Sequence, residues 1–569
     1  MPKEKKWIIA AAPSLKKVDD LSKSININPI LSKILVSRGI TNYEDAKKYF
    51  RPSIEDCHDP FLMKDMDVAT QRLVKAIDEQ EPILVFGDYD VDGSTSVAMM
   101  FSFLKNYCEN LYYYIPDRYL EGYGISTKGI DYAHEKNCKL IIALDCGIKA
   151  MDQVRYANSK AIDFIICDHH NPGEALPEAI AILDPKRQDC KYPYKELSGC
   201  GVGFKLIQAY CIQKGIPEHL AFELLDLVAI SIAADIVEVT GENRILAYYG
   251  LEKINFNPRP GIKALLAASG LKEKITISNL VFQLGPRINA AGRIDHAHLA
   301  VQLLTSIHED QALIIAVDIS KKNNTRKDFD QSITSEALSY IEESSELLTA
   351  KSTVLFNKNW HKGVIGIVAS RCIEQHYRPT IIMTESNGKA TGSARSVDGF
   401  DLYAAIELCQ EHLDQFGGHK HAAGLTLSIN KIPDFSAAFE KAVQSSITDD
   451  QLIPKINIDS YINIDQITEK FYSILSQMDP YGPGNMQPVF ATRELELLGS
   501  PVILKEKHLK LQVKNKDGRQ KITAIGFGMA PYKSLILDSN GFELAYTIQE
   551  NHFNGTKSLQ LYLKDIRIH

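Results

Sequence analysis

Three short apolar runs in the first half of the chain each stop at residues able to ligate a metal. Ile83-Leu-Val-Phe-Gly leads into Asp88-Tyr-Asp90-Val-Asp92-Gly, Leu140-Ile-Ile-Ala-Leu into Asp145-Cys-Gly, and Phe164-Ile-Ile-Cys into Asp168-His169-His170. Each run is continuous rather than alternating, the pattern of a strand buried on both faces of a parallel sheet. Helix-compatible stretches such as 94–106 and 202–214 lie between or after them. Strands alternating with helices give α/β architecture, and open α/β sheets bind ligands beyond the carboxyl ends of their strands. Strands that all terminate there in carboxylate or imidazole would converge on one site. A fourth carboxylate, Asp235, follows the apolar run Leu227-Val-Ala-Ile-Ser-Ile-Ala-Ala.

Asp88, Asp90 and Asp92 have period 2, so in extended chain they would share one face. Two like charges about 4 Å apart repel by about 4 kcal/mol at an effective dielectric near 20, a penalty that divalent cations remove. Mixed Asp and His ligands suit Mn²⁺ or a similar borderline ion better than Ca²⁺, which prefers oxygen alone. Two such ions would lower the pKa of a water and clamp a phosphodiester for in-line attack. Taken singly, the parts have plainer explanations. A lone Asp at a strand end is ordinarily a turn or a cap, Asp92-Gly-Ser reads as an N-cap, and a His-His pair reads as an exposed loop. The convergence of four parts argues against those. An EF-hand loop starting at Asp88 fails, because Val97 to Met100 supply no Glu and the segment follows a strand.

At 569 residues the chain is too long for one core. The spacing predicts a short-helical, otherwise irregular N-terminal extension over 1–70, a parallel-sheet domain over 71–300, a long connecting helix over 301–345 and a second α/β unit over 346–450. Over 451–569 the runs become short and alternating, as in His508-Leu-Lys-Leu-Gln-Val-Lys, which predicts a small β-barrel. No apolar run reaches the roughly 18–20 residues of a membrane span. The basic start and the short patch Ile8 to Ala12 do not make a secretory leader, so a cytoplasmic protein is expected. Ten scattered cysteines without a CxxC pair predict free buried thiols in a reducing compartment. The net charge of −7 is not that of a simple DNA-coating protein, although a local basic groove beside an acidic metal site is compatible with it.

Asp90-x-Asp92, Asp145-x-Gly147, Asp168-His169-His170 and Asp235 resemble the four motifs of the DHH phosphoesterase superfamily. Longer segments narrow the resemblance to its RecJ exonuclease family: Gly87-Asp-Tyr-Asp-Val-Asp-Gly, Ser198-Gly-Cys-Gly-Val-Gly-Phe-Lys205, Gly285-Pro-Arg-Ile-Asn-Ala-Ala-Gly-Arg293, Trp360-His-Lys-Gly-Val-Ile-Gly-Ile-Val-Ala-Ser-Arg371, Gly417-Gly-His-Lys-His-Ala-Ala-Gly424 and Pro480-Tyr-Gly-Pro-Gly-Asn-Met-Gln-Pro. The similarity runs from about residue 40 to the C-terminus. It implies a DHH catalytic domain, a DHHA1 domain joined to it by the long helix, and a C-terminal OB-fold. It also implies single-stranded-DNA-specific 5′→3′ exonuclease activity in DNA repair and recombination, with release of 5′-mononucleotides. Two divalent ions, Mn²⁺ before Mg²⁺, would be held among Asp90, Asp92, Asp145, His169, His170 and Asp235. Asp88 and Asp168 would either orient those ligands or contact an ion directly. Single-stranded DNA is the implied substrate, a single-strand-binding protein and a RecQ-type helicase the implied partners, and a monomer the expected state.

Arginine is the natural bidentate partner of phosphate oxygens. Arg118, Arg287, Asn289, Arg293, Ser393, Arg395 and His419 would, under the resemblance, form the pocket for the 5′ end and the strand; singly, each reads as a surface or turn residue. Trp360 and His361 are candidates to stack on a base, with packing at a domain junction the alternative for Trp360. Lys505, Lys507, Lys510 and Lys514 would track phosphates or form a solvated face. Three rivals stand beside this reading, the first of them also an enzyme and the second a non-enzymatic binding module. Smaller DHH enzymes that cleave cyclic dinucleotides, short RNA or pyrophosphate lack the barrel. A scaffold such as the related helicase subunit has lost metal ligands that are intact here. A polymerase-associated factor with secondary nuclease activity is not separated by sequence.

Overall fold

The continuous apolar runs are strands because both of their faces are covered. All five residues of Ile83–Gly87 and of Leu140–Leu144 are buried. In the computed structural model, which describes residues 4–118, 120–294, 298–553 and 555–569, they lie in a five-stranded parallel sheet. Its spatial order is Leu111–Tyr114, Ile83–Gly87, Leu140–Leu144, Asp163–Cys167, Ala181–Leu183. Helices Val91–Leu104, Gly199–Lys214 and Leu225–Ala234 bury one face, and Thr127–Glu135 and Met151–Ser159 the other. Counted along the chain the strand order is 2-1-3-4-5, so winding reverses between Ile83–Gly87 and Leu140–Leu144. Open sheets bind ligands at that reversal, and Asp88 and Asp145 directly follow those two strands.

The shared extended face expected for Asp88, Asp90 and Asp92 does not form. The strand ends at Gly87; Asp90 is the N-cap of Val91–Leu104, accepting the Gly93 N–H at 2.9 Å, and Asp92 lies in the first helical turn. An unpartnered N–H in the first turn makes a capping Asp worth about 1 kcal/mol, which ends the strand before the alternation can matter. Gly93 permits the sharp turn, since a Cβ there would sit 2.3 Å from the Asp88 carbonyl oxygen.

The chain divides into two units. One comprises Lys47–Arg326 with Met478–Met486 and contains the parallel sheet; the other comprises Met1–Ala46, Lys327–Gln477 and Gln487–His569. Helix Glu309–Glu343, 35 residues long, runs through the division. The second unit holds a five-stranded mixed sheet in the order Gln415–His419, Ala422–Leu427, Lys389–Arg395, Thr380–Ser386, Thr353–Phe356. It also holds an eight-stranded sheet built from Ser460–Tyr461 onward, in which Phe542–Phe553 and Thr556–Ile568 form the longest hairpin. The start of the chain is more regular than its sequence suggests. Lys6–Ile9 is a strand paired in parallel with Lys455–Ile458, and Trp7 donates its indole N–H to Asp565 at 2.7 Å. Trp360 is 4% exposed and packs against the helix residues Ile333, Ala337 and Ile341, with its indole N–H on Glu336 at 2.8 Å, so its ring is core and does not face a base. His361 stacks on Phe329 with ring centroids 5.0 Å apart. All ten cysteines are unpaired, nine of them buried, and no described helix is long and apolar enough to cross a membrane.

Candidate metal centre and phosphate-handling residues

His169 is the centre of the acidic site. It follows strand Asp163–Cys167 and is 5% exposed. Its Nε2 lies 3.1 Å from Asp145 Oδ1, 3.5 Å from Asp235 Oδ2 and 3.9 Å from Asp92 Oδ2. Among the described residues neither of its ring nitrogens has a hydrogen-bond partner in acceptable geometry. A buried polar atom without a partner costs about 1–3 kcal/mol, so two on one ring call for an occupant. Two groups of side chains can each close on a single ion: Asp145, His169 and His170, and Asp92, His169 and Asp235. The donor set of carboxylates and imidazoles fits divalent ions of the Mn²⁺ type.

Electrostatics agree with that fit. Burial, then the charges of Asp92, Asp90, Asp235 and Asp168, hold the Asp145 carboxyl well above the usual carboxylate range. Burial and the charges of Asp92 and Asp90 push Asp235 up to about 8. Asp90 is raised by burial and by Asp92. Burial pushes the His169 imidazole down, which favours the neutral form that ligates metals. A cluster in which burial and like charge both oppose ionisation has its natural counterweight in cations.

The remaining acids divide by what they already hold. Asp168 spends its carboxylate on protein donors: Oδ1 accepts the N–H groups of His169 at 2.7 Å and His170 at 3.2 Å and lies 2.7 Å from His170 Nδ1, while Oδ2 accepts the Ile148 N–H at 2.9 Å. Burial alone would raise it, but the His170 hydrogen bond and charge and these N–H groups bring it to about 2. For His170, burial opposes the charged form, yet the Asp168 bond and the Asp168, Asp235 and Asp92 charges carry it to about 9. Asp168 thus orients His170 through Nδ1, so that Nε2, which contacts the Tyr123 hydroxyl at 3.2 Å, is the ring nitrogen that a cation would take. Asp88 accepts the Gly124 N–H at 3.2 Å with Oδ1, while its buried Oδ2 has no partner among the described residues. Asp88, Asp90 and Asp168 are in neither of the two ligand groups.

Residues that the sequence did not single out complete the wall. Asp92 Oδ1 accepts from Cys200 N–H at 2.9 Å, Ser231 Oγ at 2.7 Å and Ser96 Oγ at 3.3 Å, and Oδ2 accepts from Gly199 N–H at 2.8 Å. Tyr123, in a glycine-flanked loop, places its hydroxyl 3.2 Å from His170 Nε2. The only sequence signals were a Ser four residues before Asp235 on an apolar helix and a Ser preceding a glycine-rich helix start. The backbone is strained at or beside two candidate ligands: Asp145 has φ +59° and Ile236, directly after Asp235, has φ +61°. A β-branched residue in that region costs on the order of 1–3 kcal/mol and persists only where its surroundings impose it.

The basic candidates fall into two sets. In the unit with the parallel sheet, the Arg118 guanidinium lies over the Tyr89 ring at 4.7 Å, and Arg293 acts electrostatically on the same tyrosine. Arg287, Asn289 and Arg293 share helix Gly285–Ile294; Arg287 Nη1 donates to Gln283 O at 2.6 Å, and its buried Nε has no partner among the described residues. In the other unit, Ser393 and Arg395 lie on one face of strand Lys389–Arg395, 3.1 Å apart from Oγ to Nη1. Gly366, near the start of helix Ile365–Gln375, packs so closely that a Cβ would lie 2.8 Å from both. His419 ends the strand Gln415–His419, and burial, with the charges of His421, Arg395 and Lys420, pushes its imidazole down. Lys510 and Lys514 share the outer face of strand His508–Asn515, with Lys514 bound to Glu496 at 2.9 Å.

The pattern of the DHH family, N-terminal domain, matches residues 82–232, that of the DHHA1 domain 349–445, and that of the RecJ OB domain 458–565. The chain is 35% identical to the single-stranded-DNA-specific exonuclease RecJ of Bacillus subtilis (strain 168), over 98% of this chain and 70% of that protein. It is 33% identical to the protein of the same name from Escherichia coli (strain K12), over 95% and 96%. The crystal structure of RecJ in complex with Mn²⁺ from Thermus thermophilus superposes with a TM-score of 0.84 at 25% identity, covering 99% of this chain and 79% of that one. With these similarities spanning almost its full length, the chain belongs to the RecJ family of DHH phosphoesterases.

Proposed function

We propose that this chain is a metal-dependent exonuclease specific for single-stranded DNA, hydrolysing phosphodiesters from the 5′ end and releasing 5′-mononucleotides. The observation that carries the reading is His169, a buried imidazole whose nitrogens have no hydrogen-bond partner in acceptable geometry among the described residues and whose Nε2 has three carboxylates within 3.9 Å. The names of the relatives support the substrate class. Two divalent cations, Mn²⁺ before Mg²⁺, would be held by Asp92, Asp145, His169, His170 and Asp235, with Asp90 beside them. Bound there, they would lower the pKa of a water and neutralise charge building on the phosphate. Asp168 would keep a proton on His170 Nδ1, and Asp88 would orient the ligands or contact an ion directly. Arg118, Arg287, Asn289 and Arg293 would bind phosphate oxygens, as would Ser393, Arg395 and His419. Guanidiniums match two oxygens of one phosphate at once, which fixes the strand's register. A cytoplasmic location, a monomeric state, a role in repair and recombination, and partnership with a single-strand-binding protein and a RecQ-type helicase belong to the same proposal and rest on the family resemblance.

The test uses single-stranded DNA labelled at either end, with Mn²⁺ and with Asp145→Ala as control. Immediate release of 5′-labelled mononucleotide, absent in the variant, is expected. Loss of 3′ label first would reverse the polarity. Binding without cleavage under any divalent ion would make the chain a scaffold.

A further inference from the structure

Ser231 and Ser198 are both fully buried, and neither belongs to the ligand groups. Ser231 Oγ is 2.7 Å from Asp92 Oδ1 and 2.6 Å from Ser198 Oγ. Ser198 Oγ in turn accepts the Gly201 N–H at 3.1 Å as the N-cap of helix Gly199–Lys214. A hydroxyl carries one hydrogen and two lone pairs. If Ser231 gave its hydrogen to Ser198, an oxygen lone pair would face a carboxylate oxygen at 2.7 Å. The ordering that avoids this repulsion runs one way: Gly201 N–H to Ser198 Oγ, Ser198 O–H to Ser231 Oγ, Ser231 O–H to Asp92 Oδ1.

The consequence is an asymmetry between the two oxygens of Asp92. Oδ1 is fully occupied by Cys200 N–H, Ser231 and Ser96. Among the described residues Oδ2 takes only the Gly199 N–H, and it faces His169 Nε2 at 3.9 Å. Ser231 also lies on Leu225–Ala234, the helix whose C-cap is Asp235, so one helix sets the direction of one ligand and carries another. We propose that Ser231, aligned by Ser198, is a positioning residue that fixes Asp92 with a single oxygen, Oδ2, turned toward a divalent cation. The proposal rests on the metal-site reading above.

The test measures Mn²⁺ affinity of the full chain by electron paramagnetic resonance of the free ion, without DNA or turnover, for wild type, Ser231→Ala and Ser231→Cys. Partners that orient metal ligands are worth about 10–100-fold in affinity, so Ser231→Ala should bind Mn²⁺ about 10–100-fold more weakly while its metal-free melting curve stays cooperative. Ser231→Cys, similar in volume with a weaker donor, should fall between. Wild-type affinity in a folded Ser231→Ala overturns the proposal. So does a Ser231→Cys chain that binds Mn²⁺ as tightly as wild type, because volume alone would then suffice without the hydroxyl donor. A wild-type chain that binds no Mn²⁺, as Asp145→Ala should not, removes the metal-site reading itself and the proposal with it.

Discussion

The acidic centre and the Ser393–Arg395–His419 cluster are built by the same local means and end in opposite states. Each places side chains at the end of a strand, beside a helix start whose glycine lets the backbone come close: Gly199 against Asp145 in one, Gly366 against Ser393 and Arg395 in the other. The acidic centre is buried, with Asp92 and Asp145 at 1% and 2% exposure, and its charges repel one another. In the basic cluster Ser393 and Arg395 are half-buried and His419 is exposed, and Arg395 finds partners within its own strand, donating to Ala394 O at 2.8 Å and to Ser393. Burial therefore decides the dependence on ligand. The acidic centre is unbalanced until cations enter, whereas the basic cluster is a stable surface that an anion can join. A third carboxylate sharpens the contrast. Asp450, at the surface between Lys6 and Lys455, is drawn down to about 2 by hydrogen bonds to those lysines, while the same side chain at Asp145 is driven up by burial.

The largest effect should come from Asp145→Asn. Removing one electrostatic stabiliser of a transition state costs about 10²–10³-fold in kcat. Metal-free, however, the variant should be more stable than wild type, because a buried like charge is gone; relief of about 1 kcal/mol would raise the melting midpoint by about 2–4 °C. Calorimetry with and without Mn²⁺ checks both halves, and a midpoint that falls in the metal-free variant would break the contrast. Arg395→Ala should act on binding. Loss of a charge-assisted hydrogen bond of about 1.5–3 kcal/mol raises KM about 10–100-fold, with a shallower dependence of binding on salt, and leaves the metal-free midpoint nearly unchanged. Steady-state kinetics across a salt series measure it. The smallest effect belongs to Asp450→Asn. The folded carboxyl is lowered from about 3.8 to about 2, so its stabilisation is present above the unfolded value and is lost as pH falls through about 2. The midpoint difference between wild type and variant should be constant from pH 7 to about pH 5, then shrink toward acid; a difference that grows toward acid would contradict the sign.

The parallel sheet and its ligand edge were legible because a strand covered on both faces must be apolar throughout, and the chain leaves it at whatever residue follows. Nothing more than that was needed to pick out Asp145 and His169 as candidates. The period-2 reading of Asp88, Asp90 and Asp92 failed because alternation presumes one conformation, and these three span a strand exit, a helix cap and a first turn. Ser231 was invisible because a serine in an apolar helix has no fixed meaning until its neighbours are known; its partners are 33 and 139 residues away in sequence. The strand Lys6–Ile9 was missed for the same reason, since its ladder lies about 450 residues downstream. Trp360 left two readings open in sequence, and the Glu336 carboxylate that takes its N–H settles it as core.

The most direct test of the central claim, that the carboxylates around His169 form a two-cation site, is anomalous diffraction from a crystal of the full chain grown with Mn²⁺. The account predicts two manganese peaks, one bonded to Asp145 and a histidine of the His169-His170 pair and one bonded to Asp92 and Asp235. Manganese sites elsewhere, with these side chains unliganded, would contradict it.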